Sequence, residues 1–289
     1  MTFTDAHVHF WDHALRGMRW RFLEPDFEHP RLKGMHRLDA PRYGPEELLA
    51  EAGEERPDKI VHIQCATIPA PSPTYETEWL ESLADASGWP NAIVAGCRLR
   101  EPDAGAVLAA NAAFPRFRGV RDLTVSDTVT PEDVRGAFDA AAEHAASVEL
   151  MLPLEHYDSV ARLAERWPDV TIVLGHAGQP LARDSRYVAH WSAALAVLAG
   201  AAPNIVLKLS AIASSADSAW TVDSVRPVVL RAIEAFGVDR CMFATNWPID
   251  RLYGTYPRLI RAYRQIAEEL PERDQAALLH GTADRVYRI

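Results

Sequence analysis

Asp5-Ala6-His7-Val8-His9-Phe10-Trp11 ends the chain's first apolar run. Side chains along a strand alternate between its two faces. That alternation predicts Asp5, His7 and His9 on one face and Ala6, Val8 and Phe10 on the other. Two imidazoles on one face, just ahead of a Trp11-Asp12-His13 turn, fit a metal-binding or catalytic pair at the C-terminal end of a strand. A chance His-Val-His triplet on an ordinary core strand is the alternative.

Outward from that strand, which spans 2–10, short β-branched and apolar runs recur at 59–66, 92–99, 117–123, 147–153, 170–177, 204–212 and 240–247. Between them lie Ala- and Leu-rich helical patterns at 75–87, 103–113, 131–146, 155–167, 191–201, 222–236 and 256–269, with a terminal segment at 272–279. Thr130 ahead of Pro131 reads as a helix N-cap before a first-turn proline. Strands alternating with helices of this length predict βαβ units and a parallel sheet. Eight of them predict an α/β fold, a closed (β/α)8 TIM barrel forming a single domain over 1–289. An open doubly wound sheet is the structural alternative. No Gly-rich loop follows a strand, so the dinucleotide and P-loop signatures are missing.

The first connection, 11–58, is far longer than a βα loop needs and holds Trp20, Phe22, Phe27 and Tyr43. Such connections serve as lids or binding loops. Two smaller polar loops are expected at 184–191 and 214–223. With 30 basic and 40 acidic side chains, the net charge is -10. That balance, with no basic run to track phosphates, excludes nucleic acid and anionic membranes as expected partners. Cys65, Cys97 and Cys241 are well separated and each lies in an apolar run, so they read as core thiols rather than a disulfide framework or zinc knuckle. No leader precedes Asp5 and no apolar run reaches the roughly 18 residues of a membrane span, so a cytoplasmic location is expected.

In a barrel of this kind the chemistry sits where the strands end. The first strand ends on His7 and His9. The second carries His62 and Gln64, two apart on one face, as site-lining residues or as a polar pair satisfied by neighbours. The fourth carries Arg118 and Arg121, and Arg121, nearer the end, is the better candidate to clamp a substrate carboxylate through its planar fork. The sixth ends Leu174-Gly175-His176-Ala177-Gly178. The seventh carries Lys208 and Ser210, the lysine being either paired to a buried acid or a substrate contact. The eighth ends Thr245-Asn246-Trp247-Pro248, with Asp250 just beyond. His13, His29, His36, His156 and His190 fall in predicted loops or helices and read as solvated.

These stretches resemble the amidohydrolase superfamily, and more narrowly its lactonase-rich branch. The resemblance rests on residues 5–11, 118–121, 174–180, 207–210, 244–248 and the ending Gly281-Thr282-Ala283-Asp284-Arg285-Val286-Tyr287. It implies a (β/α)8 barrel and hydrolysis of a cyclic ester or related bond. It also implies that the strand-one histidines, a later histidine and a strand-eight aspartate hold one or two divalent metals, with the aspartate taking the proton of the attacking water. Here position 246 is Asn, which neither accepts a proton as a carboxylate does nor ligates a metal strongly. His7, His9 and His176 plus water would still make an open zinc site, but a metal-free site is an equal consequence of the Asn246 replacement. Asp250 is a candidate base, or else a helix cap or the partner of Arg251.

The first functional reading is therefore a hydrolase of a small lactone or related carbonyl compound. His7, His9 and His176 polarise the carbonyl, Arg121 and Lys208 orient the substrate, Asn246 positions it, and Trp11, Trp247 and the long loop close over it. The second keeps the barrel and makes it a lyase, decarboxylase or isomerase working by histidine acid–base chemistry. The third is an inactive binding protein. The expected partner is a small molecule bearing a carboxylate, and the sequence leaves a homo-oligomer open.

Overall fold

The apolar runs become strands where the pattern places them. The computed structural model describes residues 1–28, 32, 34–67, 70–212 and 219–289. Its strands are β1 (Thr4–Val8), β2 (Trp11–Asp12), β3 (Arg42–Tyr43), β4 (Lys59–Ile63), β5 (Ala92–Gly96), β6 (Phe117–Arg121), β7 (Ser147–Leu150), β8 (Ile172–Leu174), β9 (Ile205–Leu209) and β10 (Cys241–Phe243). Eight of these pair in parallel in the order β1-β4-β5-β6-β7-β8-β9-β10. The helices α1 (Pro45–Ala52), α2 (Tyr75–Ser87), α3 (Ala104–Ala112), α4 (Arg135–Glu143), α5 (Tyr157–Arg166), α6 (Ser185–Ala201), α7 (Val222–Phe236) and α8 (Tyr256–Ala267) surround them, and α9 (Glu272–Ala276) and α10 (Thr282–Tyr287) end the chain. This is a (β/α)8 TIM barrel, not an open sheet.

The barrel has two cores. Ala6, Val61, Ile63, Val94, Val173, Val206 and Met242 fill the lumen, and Ala283 and Tyr287 of α10 plug it from below. Val8, Ile60, Ile93, Val120, Val148, Ile172 and Leu207 face outward onto the helices. Each fully buried Val or Ile contributes about 1.5–3 kcal/mol. Above the plug lies a polar layer. Lys208 Nζ donates to Glu149 Oε1 at 2.7 Å, and the Tyr287 hydroxyl donates to the same oxygen at 2.5 Å.

The seam between β10 and β1 is closed differently from the rest. Past the strand ends, His9 N donates to Trp247 O at 2.8 Å, beside a parallel bridge between Val8 and Trp247. Lower down, the Asp5 carboxylate stitches the seam. It accepts from Thr245 N (3.0 Å), Thr245 Oγ1 (2.6 Å) and the Tyr256 hydroxyl (3.0 Å), and also from His7 N (3.3 Å).

Asp5 therefore does not share a face with His7 and His9. On β1, Asp5 pairs with Ile60 and Val8 with His62, so three residues advance against two. That one-residue bulge shifts the alternation. Ala6 joins the lumen while Val8 and Phe10 face outward, and Asp5 is turned to the seam.

Three other segments differ from the pattern. The 11–58 stretch is not all loop: β2 and β3 form a hairpin, α1 packs as a barrel helix, and only the part between the hairpin strands is a long excursion. Thr130 and Asp133 cap a turn, their backbone and side chains exchanging hydrogen bonds, and α4 starts at Arg135 instead of 131. The polar loop expected at 184–191 is the first turns of α6, with Asp184 as N-cap accepting from Tyr187 N at 3.0 Å. Much of the 214–223 loop, like His29, lies outside the described residues. Among the described residues no helix is long and apolar enough to cross a membrane.

Burial pushes the Asp5 carboxyl up to about 6 against its four hydrogen-bond donors. The folded chain holds this proton more tightly than the unfolded one. The group's contribution to stability is thus complete below about pH 4 and lost as pH rises through about 6, on the order of 3 kcal/mol. Asp5→Asn cannot titrate. Chemical unfolding of both proteins at about pH 4 and about pH 7 is expected to show the larger loss in the wild type, and identical losses would contradict the linkage.

Candidate active site

A cavity of about 400 Å³ opens at the C-terminal mouth of the barrel. His9, Arg121, His176, Gln179 and Asn246 supply its polar wall, with Cys65, Met151 and Ala211 beside them. Phe22, Phe27, Leu32 and Met35, all from the 13–41 excursion, form an apolar lid. No Asp or Glu lines it among the described residues.

Strain concentrates on this wall. His176 (φ 54°), Gln179 (φ 56°), Ala211 (φ 54°) and Asn246 (φ 58°) are all left-handed. Such backbone costs of order 1–3 kcal/mol at a non-glycine residue and clusters at functional sites. Gly178 (φ 65°) is held to glycine twice over, because a Cβ there would strike the Tyr157 hydroxyl that donates to its own carbonyl.

The histidines are linked. His9 Nδ1 lies 2.8 Å from Ile63 O, so it carries the proton and donates. His9 Nε2 is then an acceptor, and His7 Nε2 donates to it at 3.1 Å. The His176 ring stands 5.0 Å from that of His7, centroid to centroid, with its Nδ1 at 2.8 Å from Ser210 Oγ. Burial, then the Lys208 ammonium, pushes His7 well below the usual histidine range; burial, then Arg121, does the same to His9. Both imidazoles are neutral. Burial also lowers the Lys208 ammonium, to about 8.

Arg121 is 3% exposed and donates to the Gln64 carbonyl. Its Nε has no hydrogen-bond partner among the described residues. Asn246 Nδ2 donates to Asp250 Oδ1 at 3.0 Å.

The remaining expected site residues stand behind the wall. Trp11 stacks on Tyr43 at 5.1 Å and donates to Ala40 O, fastening the hairpin under the lid. Trp247 donates to Glu51 Oε2 at 2.8 Å. Lys208 sits beneath the cavity, paired with Glu149. His62 points to the outer face of β4, where neither ring nitrogen makes a well-formed hydrogen bond among the described residues, and burial lowers it to about 3. The Gln64 side chain turns back to donate to Ala66 O. Asp250 is neither a helix cap nor the partner of Arg251, which pairs with Glu51 at 2.7 Å. The sequence reading misses Gln179 and Met151 at strand ends and Met35 and Leu32 in the long excursion, since nothing in an apolar or amide side chain marks it as cavity-lining.

A divalent metal can be tested against this geometry. Two ligands of one zinc ion stand roughly 3.3 Å apart. The His7 and His9 Nε2 atoms, at 3.1 Å, match that spacing. His7 Nδ1, without a partner among the described residues, could take the proton that Nε2 gives up. The donors fit, but as a set of neutral nitrogens with no carboxylate.

The chain belongs to the amidohydrolase family: the family model described as amidohydrolase matches residues 4–289. It is an amidohydrolase-like hydrolase. It is 30% identical over 302 residues to the L-fucono-1,5-lactonase of Burkholderia ambifaria, a match covering 100% of this chain and 97% of that one. Its fold is that of a Burkholderia multivorans amidohydrolase solved with bound zinc, at 24% identity, a TM-score of 0.81 and full coverage of both chains. A 5-carboxyvanillate decarboxylase from Sphingomonas paucimobilis shares the fold at 16% identity and a TM-score of 0.67, covering 100% of this chain and 99% of that one.

The Asn246–Asp250 contact shapes what an exchange at 246 does. Asn246→Asp would set two buried carboxylates about 3 Å apart, where one must keep its proton. That variant is expected to lose roughly 1–3 kcal/mol in urea unfolding at neutral pH. The swap N246D/D250N restores an amide–carboxylate pair and is expected to recover most of the loss. A single variant as stable as the wild type would show the two side chains to be uncoupled.

Proposed function

We propose that this chain hydrolyses a small, hydroxylated lactone to its open-chain acid. The observation that carries the reading is Arg121, a buried guanidinium facing a cavity that has imidazoles and no carboxylate among the described residues. A buried cation without an anion in its own cavity suits a ligand that brings negative charge. Lactone hydrolysis develops that charge twice, on the carbonyl oxygen in the tetrahedral intermediate and on the product carboxylate. The full-length likeness to an L-fucono-1,5-lactonase supports a sugar-acid lactone as the substrate class.

In this reading Arg121 polarises the carbonyl. A histidine of the cavity, neutral His9 or His176 beside it, accepts the proton of the attacking water. As the ring C–O bond breaks, that proton passes to the departing ring oxygen, which leaves as a hydroxyl, and the second proton of the water goes to solvent when the new carboxyl ionises. Asn246, held by Asp250, orients water or a substrate hydroxyl. His7 and His9, with His176, are the residues that would hold a divalent ion, which when bound supplies Lewis-acid polarisation and a more acidic water. The apolar lid excludes bulk water.

A decarboxylase is the rival reading, favoured by the lack of an Asp at 246 and by the fold shared with a carboxyvanillate decarboxylase. Turnover of sugar-acid lactones in oxygen-18 water separates the two. One solvent oxygen is expected in the product carboxylate. Release of carbon dioxide, or product without label, would overturn the lactonase reading. Arg121→Met is expected to lower kcat/KM by about 10²–10³-fold while the protein stays folded by circular dichroism.

A further inference from the structure

His62, Cys65 and Glu76 meet behind the wall of the active-site cavity, on the outer face of β4 against α2. One ligand atom from each lies within 4.8 Å of the other two, and all three residues are buried. Cys65 Sγ and Glu76 Oε1 are 3.9 Å apart. A thiolate and a carboxylate bound to one tetrahedral zinc stand roughly 3.5 Å apart, so a small inward movement suffices.

We propose that His62, Cys65 and Glu76 bind one thiophilic divalent cation of the zinc class, at a site that uses none of the mouth histidines and meets the barrel mouth only at Cys65. His62 is the observation that points to a ligand. It is fully buried, and neither ring nitrogen makes a well-formed hydrogen bond among the described residues, the Phe10 backbone offering only a weak contact. A buried imidazole in that condition has been desolvated without return, and a cation beside it supplies the missing partner. Charge also balances: a thiolate and a carboxylate neutralise a divalent ion, and an imidazole adds none. The sulfur selects zinc over magnesium or calcium.

The surroundings are those of a supported site. Glu76 Oε1 accepts from Cys65 N at 3.2 Å and Ala66 N at 3.0 Å, which orients the carboxylate toward the thiol. Glu76 and Ala66 also line a second cavity of about 380 Å³ on the outer side, which gives an ion a way in. Gln64, whose carbonyl takes the Arg121 hydrogen bond, lies between His62 and Cys65 in the chain. An ion there would tie β4 to α2 and stiffen the seat of Arg121. The proposal stands whichever reaction the mouth performs.

Cobalt grown into the protein from cobalt-supplemented medium tests it without a variant. Near-ultraviolet absorption of the purified wild type is expected to show thiolate-to-cobalt charge transfer, with one cobalt retained per chain at this site. Bound cobalt without that band, or no bound cobalt, overturns the proposal. Cys65→Ser is expected to abolish the band, whereas His9→Asn, at the mouth, leaves it. Should Cys65→Ser fail to fold, Glu76→Gln and His62→Gln are expected to shift or weaken the band. A band unmoved by the folded variants places the ion on Cys97 or Cys241 and overturns the assignment.

Discussion

The Asp5 carboxylate closes the barrel, and the position of everything at the mouth follows from that closure. Seven of the eight neighbouring strand pairs are joined by parallel ladders. At the eighth, one buried side chain accepts from the backbone and hydroxyl of Thr245, the hydroxyl of Tyr256 and the backbone of His7. Only with β1 docked against the chain beyond β10 can His9 N reach Trp247 O. Asn246 lies between Thr245 and Trp247, so the seam that holds the barrel shut also aims the first and last strands' site residues at one cavity. The bulge after Asp5 belongs to the same device, because it frees Asp5 for the seam while His9 still turns inward.

Above the seam the barrel is built in layers of decreasing hydrophobicity. An apolar lumen plugged by Tyr287 gives way to the Glu149–Lys208 pair, and that to the histidines and Arg121. Burying an ion pair is costly unless it is well paired and hydrogen-bonded, and Glu149 meets that condition with two donors. The pair's ammonium and the Arg121 guanidinium, both close to the imidazoles, then help burial to keep His7 and His9 uncharged. Neutral imidazoles can accept protons or ligate a metal, and imidazolium ions can do neither. Burial and the cationic neighbours together thus leave His7 and His9 in the form that can accept a proton or ligate a metal.

The barrel was legible in the recurrence of eight apolar runs, and the strand-end histidines in their position after those runs. His9, His176, Arg121 and Asn246 do line one cavity. What was not legible has a common physical cause. A strict alternation is right only until a bulge, and one inserted residue turned Asp5 to the seam. The same alternation put His62 and Gln64 on one face, but could not say that His62 would face outward or that the Gln64 side chain would turn back to Ala66 O. Cys65 looked like a small core residue because Glu76, its partner, comes from a helix whose rotation no local pattern determines. Asp184 read as loop because a polar N-cap and a polar loop have the same composition. Lys208 was open between an ion pair and a substrate contact, and the geometry gives it Glu149 as a partner.

The left-handed residues show where this mouth takes its shape. His176, Gln179, Ala211 and Asn246 come from the ends of β8, β9 and β10, where the chain turns sharply over the barrel rim. Of these only asparagine adopts such a conformation readily. At His176 and Ala211 the fold must supply the energy, and the Ser210 contact and the buried wall are what it has available. Asn246 keeps the turn and the Asp250 hydrogen bond without supplying a carboxylate to the cavity. The rim's shape is thus set by the backbone at the strand ends, and the lid over it is drawn from Phe22, Phe27, Leu32 and Met35 of the long excursion, which pack onto the core.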